Sequence, residues 1–356
     1  MAVHGHFAGR TVVRWGIIGC GDVTEVKSGP GLQKASGSRL VAVMRRNGAL
    51  AADYAKRHNV PRWYDDAAKL IADPEVDAVY VATPPDTHAS YAFAAAAAGK
   101  PAYVEKPMAR NAEECRRMVE AFAAADLPLF VAYYRRRLPS FLKVAELIRT
   151  GALGRLTGVT YRLAEPHHRR GYVWRTDVAL AGSGHFLDLA SHALDLLDFL
   201  LGPLTLVSGS AANLASDYDA EDMVALTFRT AGCALGAMTC NFAAAVRDDT
   251  MRITGSDGEV TFPMFRSAPL KFETAAGTQE FDLPYPPHVA QPLIQSLIDD
   301  LLGRGDCPST GESALRTSRL MDQALEAYYG GRDDSFWTRP QTWPGRRPRG
   351  NGSQHD

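Results

Sequence analysis

Over the first third of the chain, short and almost continuous apolar runs alternate with amphipathic stretches. Residues 12–18, 40–44, 78–81, 101–104 and 129–133 read as strands, and helical periodicity runs through 24–33, 50–58, 67–72, 87–98 and 112–125. Strands apolar on both faces and separated by helices are what a parallel sheet covered on both sides requires. The pattern therefore predicts a doubly wound α/β domain. An alanine run at 94–98 agrees with it, because alanine favours helix and a small-residue face lets a helix lie close to a sheet.

Beyond residue 133 the rhythm changes. A helix over 141–150, a strand over 156–163, an aromatic and basic loop over 167–174 and a long helix over 185–201 are expected. Strand-like runs then follow at 206–212, 224–229, 233–239, 250–254, 260–262 and 270–272, and short turns such as Ser256-Asp257-Gly258 separate the later ones. Successive strands joined by short turns indicate an antiparallel sheet. Helices over 289–302 and 311–328 complete the pattern, and the Pro-, Gly- and Arg-rich segment from Pro340 reads as a surface strap or a frayed tail.

At 356 residues the chain exceeds one ordinary core, and a prior of about 150 residues per domain points to two. With 46% hydrophobic and 22% charged residues it can bury a large interior. Thirty-nine Lys and Arg against 40 Asp and Glu leave a net charge of −1, without the basic excess that nucleic-acid binding demands. The five cysteines, Cys20, Cys115, Cys233, Cys240 and Cys307, are scattered and include no Cys-x-x-Cys pair, so neither a disulfide framework nor a thiolate metal site is expected. Residues 1–10 carry no apolar leader, and no run reaches the roughly 18 apolar residues of a membrane span. A cytoplasmic location is the expectation.

The sharpest local signal is the strand that runs through Arg14-Trp15-Gly16-Ile17-Ile18 into Gly19-Cys20-Gly21-Asp22-Val23-Thr24. Gly19 suits a tight turn, and Gly21 lets the backbone approach a pyrophosphate resting against the N–H groups of the helix that follows. The third small position is Thr24, whose branched side chain either widens the helix–strand contact or offers its hydroxyl to the phosphate. Some 20 residues on, a dinucleotide site usually places a carboxylate for the adenine ribose. Here the strand ends Val43-Met44-Arg45-Arg46. Two guanidiniums suit a 2′-phosphate, so NADP is expected, with NAD as the alternative if an arginine stacks on adenine or the pair is simply solvated.

Two further segments lie at the carboxyl ends of strands, the edge where open α/β sheets bind ligands: Ala82-Thr83-Pro84-Pro85-Asp86-Thr87-His88 and Glu105-Lys106-Pro107. Together with Asp188-x-x-x-His192 and the glycine turn, their order and spacing resemble the glucose–fructose oxidoreductase and inositol dehydrogenase family, Gfo/Idh/MocA. The resemblance spans residues 12–337. It implies a nucleotide-binding Rossmann domain (1–134), an α+β domain with a large open, mostly antiparallel sheet that binds substrate and neighbours (135–339), and a closing strap or tail (340–356). It also implies oxidation or reduction of a sugar, polyol or related compound, and a homodimer or homotetramer through the second sheet. Cofactor contacts are assigned to Gly19, Gly21, Asp22, Val23, Arg45, Arg46, Thr83, Pro84, His88, Glu105 and Lys106.

By the same resemblance Lys106 lies between nicotinamide and substrate, and a cis peptide before Pro107 would aim it into the cleft. Desolvation lowers an ammonium's pKa and suits it to share a proton with a reacting hydroxyl. Asp188 and His192, at i and i+4, share a helix face. His192 is then the principal acid/base, Lys106 polarises the reacting oxygen and Asp188 fixes the sugar. Tyr134, Arg135 and Trp174 are candidate substrate contacts, an aromatic face being suited to a pyranose, although single aromatics also serve as core. The run His167-His168-Arg169-Arg170 either grips an anionic substrate group or is a solvated loop, and Lys27 could reach a pyrophosphate. No metal site is expected. Two other functions stay open: a glycosidase working through transient oxidation by bound NAD, and a non-catalytic nucleotide sensor.

Overall fold

The computed structural model describes residues 4–166, 174–338 and 342–346; the expected aromatic and basic loop, the His167–Arg170 run included, therefore lies outside the described residues up to residue 173. Strands β1 (Val13–Ile18), β2 (Ser38–Met44), β3 (Arg62–Tyr64), β4 (Ala78–Val81), β5 (Ala102–Val104) and β6 (Leu129–Val131) form one sheet in the order β3-β2-β1-β4-β5-β6. Every neighbouring pair in it is parallel. The alternation along β4 shows why the run is apolar throughout: Ala78 and Tyr80 enter one core, Val79 and Val81 the other. β3 has no apolar run, and its three residues are at most half-buried. It is an edge strand that hydrophobic patterning does not show.

Helices α1 (Asp22–Val26) and α2 (Ser28–Lys34) replace the single helix expected over 24–33. Pro30 explains the break. It has no N–H to give the carbonyl of Val26, four residues back, which accepts from His288 Nδ1 at 2.9 Å instead. The joint is Lys27. Helices α3 (Gly48–Arg57), α4 (Ala67–Ala72), α5 (His88–Ala97) and α6 (Ala112–Ala124) cover the two faces of the sheet.

The second sheet contains β7 (Leu156–Pro166), β8 (Thr205–Ala212), β9 (Met223–Arg229), β10 (Leu235–Ala244), β11 (Asp248–Gly255), β12 (Gly258–Phe262), β13 (Leu270–Thr274) and β14 (Gly277–Phe281). Its order is β14-β13-β12-β11-β7-β10-β9-β8. β7 and β10 pair in parallel, and the other pairings are antiparallel. Along β10, Gly236, Met238, Cys240 and Phe242 are buried while Leu235 and Ala237 face outward. The inner face packs on α7 (Pro139–Arg149), α9 (Ser191–Leu201) and α11 (Gly311–Tyr329). A short helix α8 (Val178–Ala181) precedes the wide π-helical turn Phe186–Ala190 that leads into α9. The continuous helix expected over 185–201 is thus two different helical geometries.

The two sheets meet at a single 3-10 turn, Tyr134–Arg137. Arg136 fixes it, giving Nε and Nη2 to the carboxylate of Asp195 on α9 at 2.8 and 2.7 Å and Nη1 to the carbonyl of Pro308 at 2.8 Å. A boundary near residue 135 divides the sheets, but not the helices. Helix α10 (Gln291–Leu301) returns to the first sheet, where Leu293, Ile294, Leu297 and Ile298 share a core with Val13, Trp15 and Tyr80. Within the closing segment Trp343 is buried against Tyr329 and Phe336.

Candidate active site

In the parallel sheet the order of strand addition reverses between β1 and β4, and a crevice opens there beyond the carboxyl ends of these strands. It widens into a cleft of about 840 Å3 that reaches across to the turn 134–137 and the start of α9. Gly19, Gly21, Asp22, Val23, Arg45, Arg46, Thr83, Pro84, Glu105, Lys106, Tyr134, Arg135, Trp174, Asp188 and His192 all line it. His88 does not.

The glycine turn is built for close approach. Gly19 has φ +93°, and a Cβ there would lie 2.7 Å from Thr83 Cγ2. A Cβ on Gly21 would meet nothing nearer than the Gly19 carbonyl at 3.9 Å, so its outer side is open. Thr24 is buried, accepts the Gly21 N–H at 3.0 Å and donates to the Gly21 carbonyl at 2.7 Å. Its hydroxyl closes the turn and is not turned outward to a phosphate. Beyond β2, Arg45 and Arg46 are exposed, and among the described residues neither forms an ion pair.

The assignment of His88 to the cofactor needs correcting. Its ring is fully buried, with Nε2 2.7 Å from the Thr83 carbonyl and Nδ1 3.1 Å from that of Pro107. It stands behind the wall and ties the loop after β4 to the loop after β5, because it opens α5 with its ring turned inward. Burial holds this imidazole below its usual value.

The loop after β5 carries Glu105, Lys106 and Pro107, with a cis peptide between the last two. Glu105 accepts the Tyr80 hydroxyl at 2.6 Å and the Lys106 N–H at 3.2 Å, bracing the segment from below; burial raises its pKa despite those donors and the Lys106 charge. Lys106 Nζ donates to Asp188 Oδ1 at 2.5 Å and to the Asp188 carbonyl at 2.8 Å. The other carboxylate oxygen lies 3.2 Å from Arg175 Nε. Burial pushes the Asp188 carboxyl up, but Lys106 and Arg175 outweigh it and hold it below the ordinary range.

His192, one turn on, is surrounded by rings: Tyr134, Tyr133 and Phe265 meet it edge-on at 5.3, 5.9 and 6.1 Å. Burial first, then the charges of Arg135, Lys106 and Lys27, hold its pKa well below 6.5. It is neutral at pH 7. Tyr134 is pushed up by burial, yet Arg135, Lys27 and Lys106 bring its phenol below the usual value. Trp174 stacks on the Arg175 guanidinium at 4.4 Å.

Two further wall residues, Arg175 and Phe265, carried no usable sequence signal, and Lys27, expected near a pyrophosphate, shows a wider reach. Lys27 lines the cleft because Pro30 breaks the helix there, and its charge reaches Tyr134 and His192. Arg175 follows Trp174 directly. Phe265 arrives from beyond β12, its N–H held by the buried carboxylate of Asp249 at 2.7 Å. Among the described residues one grouping could hold a metal ion, His4, Asp300 and Asp306, and none of these lines the cleft.

Residues 13–133 match the profile described as the oxidoreductase family with an NAD-binding Rossmann fold, and residues 141–261 match the GFO/IDH/MocA C-terminal domain. A protein named Oxidoreductase P35 from Formosa agariphila is 35% identical over 87% of this chain and 97% of its own length. Levoglucosan dehydrogenase of Pseudarthrobacter phenanthrenivorans is 31% identical over 62% of this chain and 64% of its own. Among solved structures, a levoglucosan dehydrogenase in complex with NADH and levoglucosan superposes with a TM-score of 0.81 at 23% identity, over 88% of this chain and 96% of that one. The aldose-aldose oxidoreductase of Caulobacter crescentus, complexed with glycerol, gives 0.81 at 23% identity over 89% and 97%. With both domain profiles matched in order and a relative aligned over nearly its full length, the chain belongs to the Gfo/Idh/MocA oxidoreductase family.

Proposed function

We propose that this chain is an NADP(H)-dependent oxidoreductase acting on a carbinol or carbonyl carbon of a sugar, polyol or related compound. The observation that carries the proposal is the convergence of the Lys106–Asp188 pair and His192 on the cleft that also holds the glycine turn. The residues present fit a dinucleotide: the left-handed Gly19, the open side of Gly21 and the backbone at Asp22 and Val23 accommodate a pyrophosphate. Thr83, Pro84 and the Glu105–Lys106 loop border the nicotinamide end. Nicotinamide, when bound, supplies the acceptor or donor for the hydride of the reacting carbon.

The chain's own groups handle the proton and the developing charge. Two of the three Nζ donors of Lys106 are spent on Asp188, so the third is available to the reacting oxygen. Held in place by Asp188, it stabilises negative charge on that oxygen. His192, neutral at pH 7, accepts the hydroxyl proton in the oxidative direction and returns it in the reductive one. Asp188 and Trp174 border the sugar ring.

The cofactor preference rests on Arg45 and Arg46, exposed and without ion pairs among the described residues, where a 2′-phosphate would lie. A panel of aldoses, polyols and keto-sugars followed at 340 nm should show NADP favoured at least tenfold over NAD in kcat/KM, with the ratio collapsing in Arg45→Ala/Arg46→Ala. A wild-type preference for NAD would overturn the assignment.

The outward face of the second sheet leaves Val207 and Leu235 more than half exposed, at 59% and 58%. We propose that this face mediates self-association.

A further inference from the structure

One buried cation in the cleft is only partly satisfied, with the Tyr134 hydroxyl as its side-chain partner. Arg135 is 4% exposed, yet its Nε and Nη1 have no hydrogen-bond partner, and among the described residues no carboxylate pairs with it. Its neighbour in sequence, Arg136, faces the other way and is fully occupied by Asp195. An arginine with buried, unsatisfied N–H groups is costly unless a ligand completes it.

The surroundings make that cost larger. Lys27 and Lys106 lie near the same side chains, as their shared influence on Tyr134 and His192 shows. The nearest acid in the reacting group, Asp188, is already bound by Lys106 and Arg175. Asp249, whose charge acts with that of Arg135 on Tyr161 and Tyr285, spends its carboxylate on the Tyr161 hydroxyl and the N–H groups of Met264 and Phe265, so the acids around Arg135 are already engaged. Nor does the glycine turn account for Arg135: the guanidinium lies 4.6 Å over Phe265, which follows β12 of the second sheet, and 5.0 Å over Tyr134.

We propose that the substrate carries a carboxylate, as an aldonate or uronate does, and that Arg135 receives it. The proposal rests on the oxidoreductase reading for its reacting carbon, but the subsite stands on Arg135 alone. The open donors are Nε and Nη1, on one edge of the guanidinium, and a planar carboxylate can meet that edge in the plane of the N–H bonds. A buried site also favours a monoanion over a more heavily hydrated phosphate dianion. The same carboxylate supplies the negative charge that His192 lacks when it takes up a proton among three cations.

The test is calorimetric binding to the NADP-loaded enzyme of aldonates and uronates of the common hexoses and pentoses, each beside its neutral sugar or alditol and the corresponding sugar phosphate. At least one acid should bind tenfold or more tightly than its neutral counterpart. That ratio should fall toward one in Arg135→Gln and recover in part in Arg135→Lys; because it compares two ligands on one protein, a general loss of fold does not mimic it. Equal binding of acids and neutral compounds, no acid binding, an unchanged ratio in Arg135→Gln, or tighter binding of a sugar phosphate would each overturn the proposal. Turnover of NADP with the bound acid is scored separately: tight binding without turnover contradicts the oxidoreductase reading and leaves the carboxylate subsite standing.

Discussion

Asp188 and His192 each titrate in a setting that their neighbours make. Asp188 keeps its charge because two cations outweigh its burial, whereas His192 is held neutral first by burial and then by three cations. For a histidine whose folded pKa lies below its unfolded value, the stabilising contribution is complete above the unfolded pKa and is lost as pH falls through the folded one. The enzyme should lose stability below pH 6.5, by up to about 1.4 kcal/mol per pH unit for each buried imidazole that must take up a proton. Buried His88 adds to the same limb. Thermal melts from pH 7.5 to 5 should show a shallower loss in His192→Gln than in the wild type; identical slopes would mean that His192 is not held neutral.

The residues of this site were legible unevenly, for a physical reason. Gly19, Lys106 and His192 sit within short motifs whose chemistry depends on local spacing. Phe265 and Arg175 reach the cleft through contacts made far along the chain, and Lys27 reaches it because of a break at Pro30. His88 carries a motif position but spends its ring on backbone carbonyls. Only tertiary contacts distinguish such a brace from a ligand contact.

At the scale of elements, apolar patterning located strands wherever both faces are buried, as in β4, whose span matches the expected run at 78–81. It missed β3 and β14, whose residues are half-buried or exposed. It also ran two helical geometries together at 185–201, since a π-helical turn alters hydrogen bonding without changing composition. The turn Tyr134–Arg137 depends on a pair that no pattern announces, Arg136 with Asp195, both almost fully buried. Removing one partner of a buried pair leaves an uncompensated charge, at a cost of about 3–5 kcal/mol. Asp195→Ala should therefore lower the denaturant midpoint by that equivalent while the distant glycine turn still binds dinucleotide; a loss under about 1 kcal/mol would show that the pair does not hold the turn.

Across the whole molecule, the near-zero net charge conceals a cleft rich in cations: Arg45, Arg46, Lys27, Lys106, Arg135 and Arg175 line it against three carboxylates, Asp22, Glu105 and Asp188. The division into two sheets followed from the change of rhythm near residue 133, but the return of α10 to the first sheet did not, because an amphipathic helix does not declare which core it joins. No helix among the described residues is long and apolar enough to cross a membrane. If the uncovered face of the second sheet joins copies of the chain, light scattering at micromolar concentration should give a mass of two or four chains, and Val207→Glu/Leu235→Glu should reduce it toward one. A monomeric wild type would contradict that role.

The most direct measurement follows the hydrogen itself. The wild-type enzyme is incubated with NADP and a substrate deuterated at its carbinol carbon, and the reduced cofactor is analysed by mass spectrometry. Direct transfer between substrate carbon and nicotinamide should place one deuterium on the cofactor, and Lys106→Met should slow its appearance by about 100-fold or more. Cofactor reduced without deuterium, or labelled at the wild-type rate by Lys106→Met, would contradict the chemistry assigned to this cleft.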